Sequence, residues 1–136
     1  MEHIDSKSWN KIKNNIISIL KKYDYFMLSI CDDFFVDNDY NFKILSINDI
    51  DSNLIKLDEK EIIKKLEYIN YVRSAYNRLS TLEKKIIFWT YLDKKNNYDD
   101  CYIANELGFS LGYYYVKKKE TLIRYAYALG IKVYNE

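Results

Sequence analysis

Between residues 110 and 124 the chain gathers side chains suited to an acceptor-rich, anionic surface: Ser110, Tyr113, Tyr115, Lys117, Lys118, Lys119 and Arg124. Lys bonds the acceptor edge of guanine, an aliphatic group such as Val116 packs on a thymine methyl, and Ser and Tyr hydroxyls adapt to either. Phosphate oxygens take Lys, Arg and Tyr without regard to base sequence. Nothing comparable exists for covalent or metal chemistry. His3 is the only histidine, Cys31 and Cys101 fit no metal-ligand spacing, and no Gly-rich phosphate loop is present. The acid pairs Asp32-Asp33 and Asp99-Asp100 read as loop and cap residues. Asp37, Asp39 and Asn41 match the start of a calcium loop, but Phe42 stands where the turn needs Gly and Asn48 where a bidentate Glu is needed. No enzyme activity, cofactor or metal is expected.

Those donors need a helix to present them, and the residues around them spell one out. Asp99 or Asp100 caps a short helix carrying Ile103, Ala104 and Leu107. Gly108 follows at the position where a left-handed backbone costs glycine little. Phe109 plugs the core, and Ser110 caps a second helix running from Leu111 to about Leu129, where Gly130 ends it. The small Ala104 lets two helices cross closely, and Tyr114 is the inward anchor. The lysines 117 to 119 come one turn further on. The pattern is a helix-turn-helix, with an ordinary helical hairpin and a solvated basic face as the bland alternative. Tyr114, Leu122, Tyr125, Leu129 and the stem of Lys118 share the buried side. Gly112 weakens the first turn relative to Ala, which a close approach to a ligand or a packing constraint would justify.

The preceding segments supply the support. Ser80 to Glu83 form a capping box, and the helix after them is apolar nearly all round through Leu92, as the buried first helix of a trihelical unit should be. Asp58 caps a helix with the stripe Ile62, Leu66, Ile69, Val72, Tyr76 and Leu79. Near the N-terminus, Trp9, Ile12, Ile16, Ile19, Tyr23, Phe26 and Ile30 recur at spacings of three and four, with Ser6 or Ser8 as cap. That stripe either packs on its own chain or forms a dimer seam. Residues 32–58 are acidic and without helical period, a solvated loop in which 42–47 has the pattern of a short extended piece.

Bulk properties agree. In 136 residues there is no Pro and only 3 Gly, which favours long helices; 15 Tyr are space-filling groups with a polar tip. The fold class is all-α: a helical N-terminal region, 1–57, followed by a helix-turn-helix domain, 58–136. Net charge is +1, so charge alone says nothing of nucleic acid; its distribution sets an acidic 31–58 region against a basic last helix. Two cysteines without a secretory signal or an apolar span indicate reduced thiols in a cytoplasmic protein with no membrane association.

Residues 66 to 133 resemble the ArpU family of phage transcriptional regulators, related to RinA-type late regulators. The carrying residues are Ser74, Ala75 and Leu79; Ser80 to Glu83 with Tyr91; Ile103-Ala104, Leu107-Gly108 and Ser110; Tyr113 to Tyr115 and Lys117 to Lys119; and Leu122, Ala126 and Leu129-Gly130. The same stretch is similar to region four of sigma factors, whose helix-turn-helix reads a promoter element. The resemblance implies a sequence-specific DNA-binding regulator, an activator of late phage or mobile-element genes, with host RNA polymerase as a partner. Leu111 and Gly112 depart from the polar first turn expected of such a helix.

On this reading the last helix enters the major groove by its N-terminal half. Ser110, Gly112, Tyr113, Val116 and Lys117 meet base edges, with Gly112 allowing close approach. Tyr115, Lys118, Lys119 and Arg124 meet phosphate. One short basic helix neutralises few phosphates, which motivates a homodimer through the 9–30 helix or help from polymerase. A DNA-packaging component resembling a terminase small subunit, or a helical adaptor binding protein alone, are the alternatives.

Overall fold

The structure, a computed structural model, describes residues 4–30, 34–50 and 58–133. His3, Cys31, Asp32, Asp33 and Lys56 lie outside them. The described residues form five α-helices and no strand: α1 (Ser6–Ile30), α2 (Glu59–Asn77), α3 (Thr81–Ile87), α4 (Asp100–Glu106) and α5 (Leu111–Leu129).

The cap of α1 is neither Ser6 nor Ser8. Asp5 takes that role, its carboxylate accepting from the Ser8 N–H at 2.8 Å. The buried side of α1 is Ile12, Ile16, Leu20, Tyr23, Met27 and Ile30. This set advances by about 3.6 residues on average, the period of a straight helix, whereas the expected stripe advances by about 3.5. Hence Leu20 and Met27 reach the centre, and Trp9, Ile19 and Phe26 are left on the flanks, partly buried. The stripe packs within its own chain, against α2 and α5. What α1 offers outward is Tyr25 and Leu28.

α2 starts as expected, with Asp58 accepting from the Glu61 N–H at 2.9 Å. Its use of polar residues was not legible. Asn77 accepts from the Phe42 N–H and donates to its carbonyl, both at 2.8 Å. Asn70 does the same for Leu45, at 2.9 and 2.8 Å. Between them the buried Arg73 donates to the Lys43 carbonyl at 2.8 Å and to the Tyr23 hydroxyl at 2.9 Å. The match is metrical. Seven residues of helix rise about 10.5 Å, and three residues of extended chain span about 10 Å. Residues 42 to 45 thus lie along α2 like a strand against a ladder, with Phe42 and Leu45 buried. The reading of 32–58 as a solvated loop is corrected here: within 34–50 the chain contributes to the core. The Asp37 carboxylate closes the preceding turn by accepting from the N–H of Asp39 and of Asn41, each at 2.9 Å. Val36 and Phe42 then pair in one antiparallel bridge.

α3 opens with the expected box. Ser80 Oγ accepts from the Glu83 N–H at 3.3 Å, and Glu83 Oε1 accepts from the Ser80 N–H at 2.9 Å. The helix widens into a π turn over Phe88–Leu92, closed by the Asp93 N–H on the Phe88 carbonyl at 2.8 Å. A single α-helix to Leu92 was the expectation; the wide turn has no signature in the pattern of apolar residues.

Two buried clusters result. The larger joins α1, Phe42, Leu45, α2 and the C-terminal half of α5, so it runs across the 57/58 boundary drawn from the sequence. The smaller holds Ile86, Ile103, Ala104 and Tyr114, with Leu82, Trp89, Tyr98, Leu107 and Phe109 packed around them. α5 belongs to both, and so ties the small trihelical unit to its support. Tyr125 donates to the Val72 carbonyl at 3.3 Å, and Tyr71 donates to that of Leu129.

Candidate nucleic-acid interface

The turn between α4 and α5 is built as the residues dictate. Asp99 caps α4 by accepting from the Tyr102 N–H at 2.8 Å. Gly108 takes φ 73°, a left-handed conformation that glycine adopts without Cβ strain. The Gly108 N–H reaches the Asn105 carbonyl at 3.1 Å and the Phe109 N–H reaches that of Ala104 at 2.9 Å, which satisfies the open end of α4. Phe109 half-buries against the small cluster, and Ser110 accepts from the Tyr113 N–H at 3.2 Å. Tyr114 is fully buried, and its hydroxyl donates to Asp100 Oδ1 at 3.1 Å. Burial, with Asp100 nearby, pushes the Tyr114 phenol well above its ordinary range, so it remains a donor.

The same Asp100 oxygen accepts from Lys118 Nζ at 2.9 Å. One carboxylate at the start of α4 therefore holds two residues of α5 and fixes the angle between the helices. Its importance was not legible, because in sequence it reads as a cap residue beside Asp99.

The face of α5 pointing away from the molecule carries Leu111, Gly112, Tyr113, Tyr115 and Val116, all exposed, with Ser110 exposed at its start. A Cβ added at Gly112 would meet nothing within 4 Å, and its backbone is not left-handed. Among the described residues no packing constraint asks for glycine there. Tyr115, expected at phosphate, shares its side of the helix with Gly112 and Val116, expected at bases, because residues three and four apart stand together.

The cations are distributed differently from the hydroxyls. Lys117 pairs with Glu120 at 3.4 Å and is about one-third exposed. Lys118 is mostly covered, its charge on Asp100. Lys119 is exposed, with its ammonium 5.3 Å from the Trp9 ring centroid, a cation–π contact that brings α1 against the middle of α5. Arg124, 64% exposed, sets Nε 2.6 Å from Glu83 Oε2. That ion pair joins the α3 capping box to α5. So Ser110, Gly112, Tyr113, Tyr115 and Val116 form one open surface, and each of the four cations rests on another part of the same chain. Of these, the part-exposed Lys117–Glu120 pair contributes little stability and rearranges readily.

Among the described residues no helix is long and apolar enough to cross a membrane. No protein-family model, curated protein or solved structure matches this chain.

Proposed function

We propose that this protein is a sequence-specific DNA-binding transcriptional regulator that docks the N-terminal half of α5 in the major groove. The carrying observation is the open face of α5 just after the capped α4–α5 turn, with a glycine that nothing among the described residues requires. The side chains there suit base edges: Val116 for a thymine methyl, Tyr113 and Ser110 for mixed donors and acceptors, and Lys117 for guanine once it leaves Glu120. Lys119 and Arg124 flank this face and suit phosphate. Lys118, held by Asp100, acts first in positioning α5. The resemblance of residues 66 to 133 to the ArpU family supports the finer reading, an activator of late phage or mobile-element genes working with host RNA polymerase from the cytoplasm of a bacterial host.

The test is selection of bound fragments from the surrounding genome, at physiological salt with competitor DNA. A discrete, salt-sensitive site lost on Lys117→Ala supports the reading, with a cost of roughly 1–3 kcal/mol if the lysine reads a base. Equal weakening on random DNA makes Lys117 a phosphate contact instead.

One observation favours a second reading, a protein-binding adaptor. Leu111, Tyr113, Tyr115 and Val116 make the open face more aromatic and aliphatic than basic, and such a patch suits a protein partner. Binding to polymerase that survives high salt, with no duplex selected, favours the adaptor. A packaging role resembling a terminase small subunit predicts a ring in sedimentation; a regulator sediments as monomer or as a dimer, which through α1 would have to use Tyr25 and Leu28.

A further inference from the structure

A groove of about 310 Å³ lies between the end of α2 and the C-terminal half of α5, lined by Arg78, Leu79, Arg124, Tyr127 and Ala128. Two arginines thus line one groove together with the apolar Leu79 and Ala128. Arg78 is exposed, and no ion pair engages it among the described residues. Glu83 Oε2 lies 2.6 Å from Arg124 Nε. That carboxylate is itself held by the Ser80 N–H at 2.9 Å, so it orients Arg124 and leaves the groove one positive charge in excess. Guanidinium forks match the oxygen pairs of a phosphate, and two arginines on one groove make a better anion seat than any single lysine of α5.

The position of the groove matters as much as its charge. Tyr113, Lys117, Glu120, Arg124 and Tyr127 follow one another at spacings of three and four, so they form one stripe along α5. Arg124 lies seven residues beyond Lys117, about 10.5 Å along the axis. The major groove is about 12 Å wide. A helix entering it by residues 112 to 117 therefore carries Arg124, and Arg78 beside it, out to the strand that borders the groove.

We propose that Arg78 and Arg124 together clamp one backbone phosphate of the duplex that α5 reads, with Arg78, a residue outside the helix-turn-helix, as the group that sets how deep α5 sits. This rests on the DNA-binding reading. The phosphate accepts from the free face of Arg78 and from the outer nitrogens of Arg124, while Glu83 keeps Nε.

The experiment is titration of the full chain with its selected duplex and with a scrambled one, between 50 and 200 mM salt, for the native protein, Arg78→Ala and Arg78→Lys. Arg78 is exposed, so a thermal melt should show Ala folding like the native chain. One phosphate contact contributes a slope of about 0.9 in log K against log salt, which over this fourfold range is about 3.5-fold in affinity. Arg78→Ala is expected to narrow the loss of affinity across that range by about this factor, equally on both duplexes, and Arg78→Lys to restore it. An unchanged slope in Arg78→Ala overturns the clamp while leaving the DNA-binding reading intact. Loss confined to the selected duplex also overturns it, since that would be base readout. A native protein that binds neither duplex overturns the DNA reading and the clamp with it.

Discussion

Replacing Gly112 by Ala separates what the fold needs from what a ligand needs. Gly112 is the second residue of α5, is exposed, and has clear space around a built Cβ. Helical glycine costs about 0.5–1 kcal/mol relative to alanine, through the extra freedom of the unfolded chain and the missing side chain. A first-turn position, where the helix is least ordered, draws the figure toward about 0.5 kcal/mol. Gly112→Ala should therefore stabilise the protein by about that amount, raising the urea midpoint with no change in slope. Gly108→Ala and Gly130→Ala provide the contrast inside the same chain. They sit at φ 73° and 80°, where a Cβ is strained, and each should destabilise by about 1 kcal/mol. Affinity for the selected duplex is measured on the same samples. A more stable Gly112→Ala that binds at least tenfold more weakly would mean that glycine is kept for close approach of DNA. A destabilised Gly112→Ala would refute the packing argument, and a stabilised one with native affinity would refute the close approach.

Three further outcomes follow from the geometry. Asp100→Asn keeps the shape but removes the charge that holds Tyr114 and Lys118, and should cost about 1–2 kcal/mol in denaturation and, on the proposed DNA-binding reading, weaken binding of the selected duplex. Asn77→Ala strips Phe42 of both side-chain hydrogen bonds and should cost about 1–3 kcal/mol, with faster amide exchange at Phe42 while the amides of α4 keep their protection. Asp49 accepts from Lys43 Nζ at 2.6 Å and from the Ser46 N–H at 2.8 Å, which lowers its pKa from 3.8 to about 2. The sign is that of a depressed carboxylate: its stabilisation is complete above pH 3.8 and is lost as pH falls through about 2. A carboxyl titration followed by NMR should place its midpoint near 2 in the native protein and return it toward 3.8 in Lys43→Ala.

The α4–α5 turn was legible because its grammar is local. Asp99, Gly108, Ser110 and Gly130 each act on backbone groups within four residues, and such caps read the same in sequence and in space. The inward anchor Tyr114 and the Ser80–Glu83 box follow from helical period in the same way. The face of α5 was legible for the same reason, since Gly112, Tyr113 and Val116 need only the phase of the helix set by Tyr114. What those residues touch was not. Lys117, Lys118, Lys119 and Arg124 look alike as cations in a row, yet only the Lys117 partner, Glu120, follows from helical spacing; the others come from α4, α1 and α3, at separations that no periodicity encodes.

An all-helical chain, the caps of α2 to α5 and the phase of α5 follow from residue order, since hydrogen bonds to nearby backbone and the 3.6-residue period depend only on neighbours along the chain. It took the packed chain to show that Asn70, Arg73 and Asn77 hold residues 42 to 45, that Asp100 holds α5 against α4, and that Arg78 and Arg124 line one groove. Those pairings join residues far apart along the chain, where a polar side chain on a helix reads as solvent-facing until the segment that satisfies it is brought alongside.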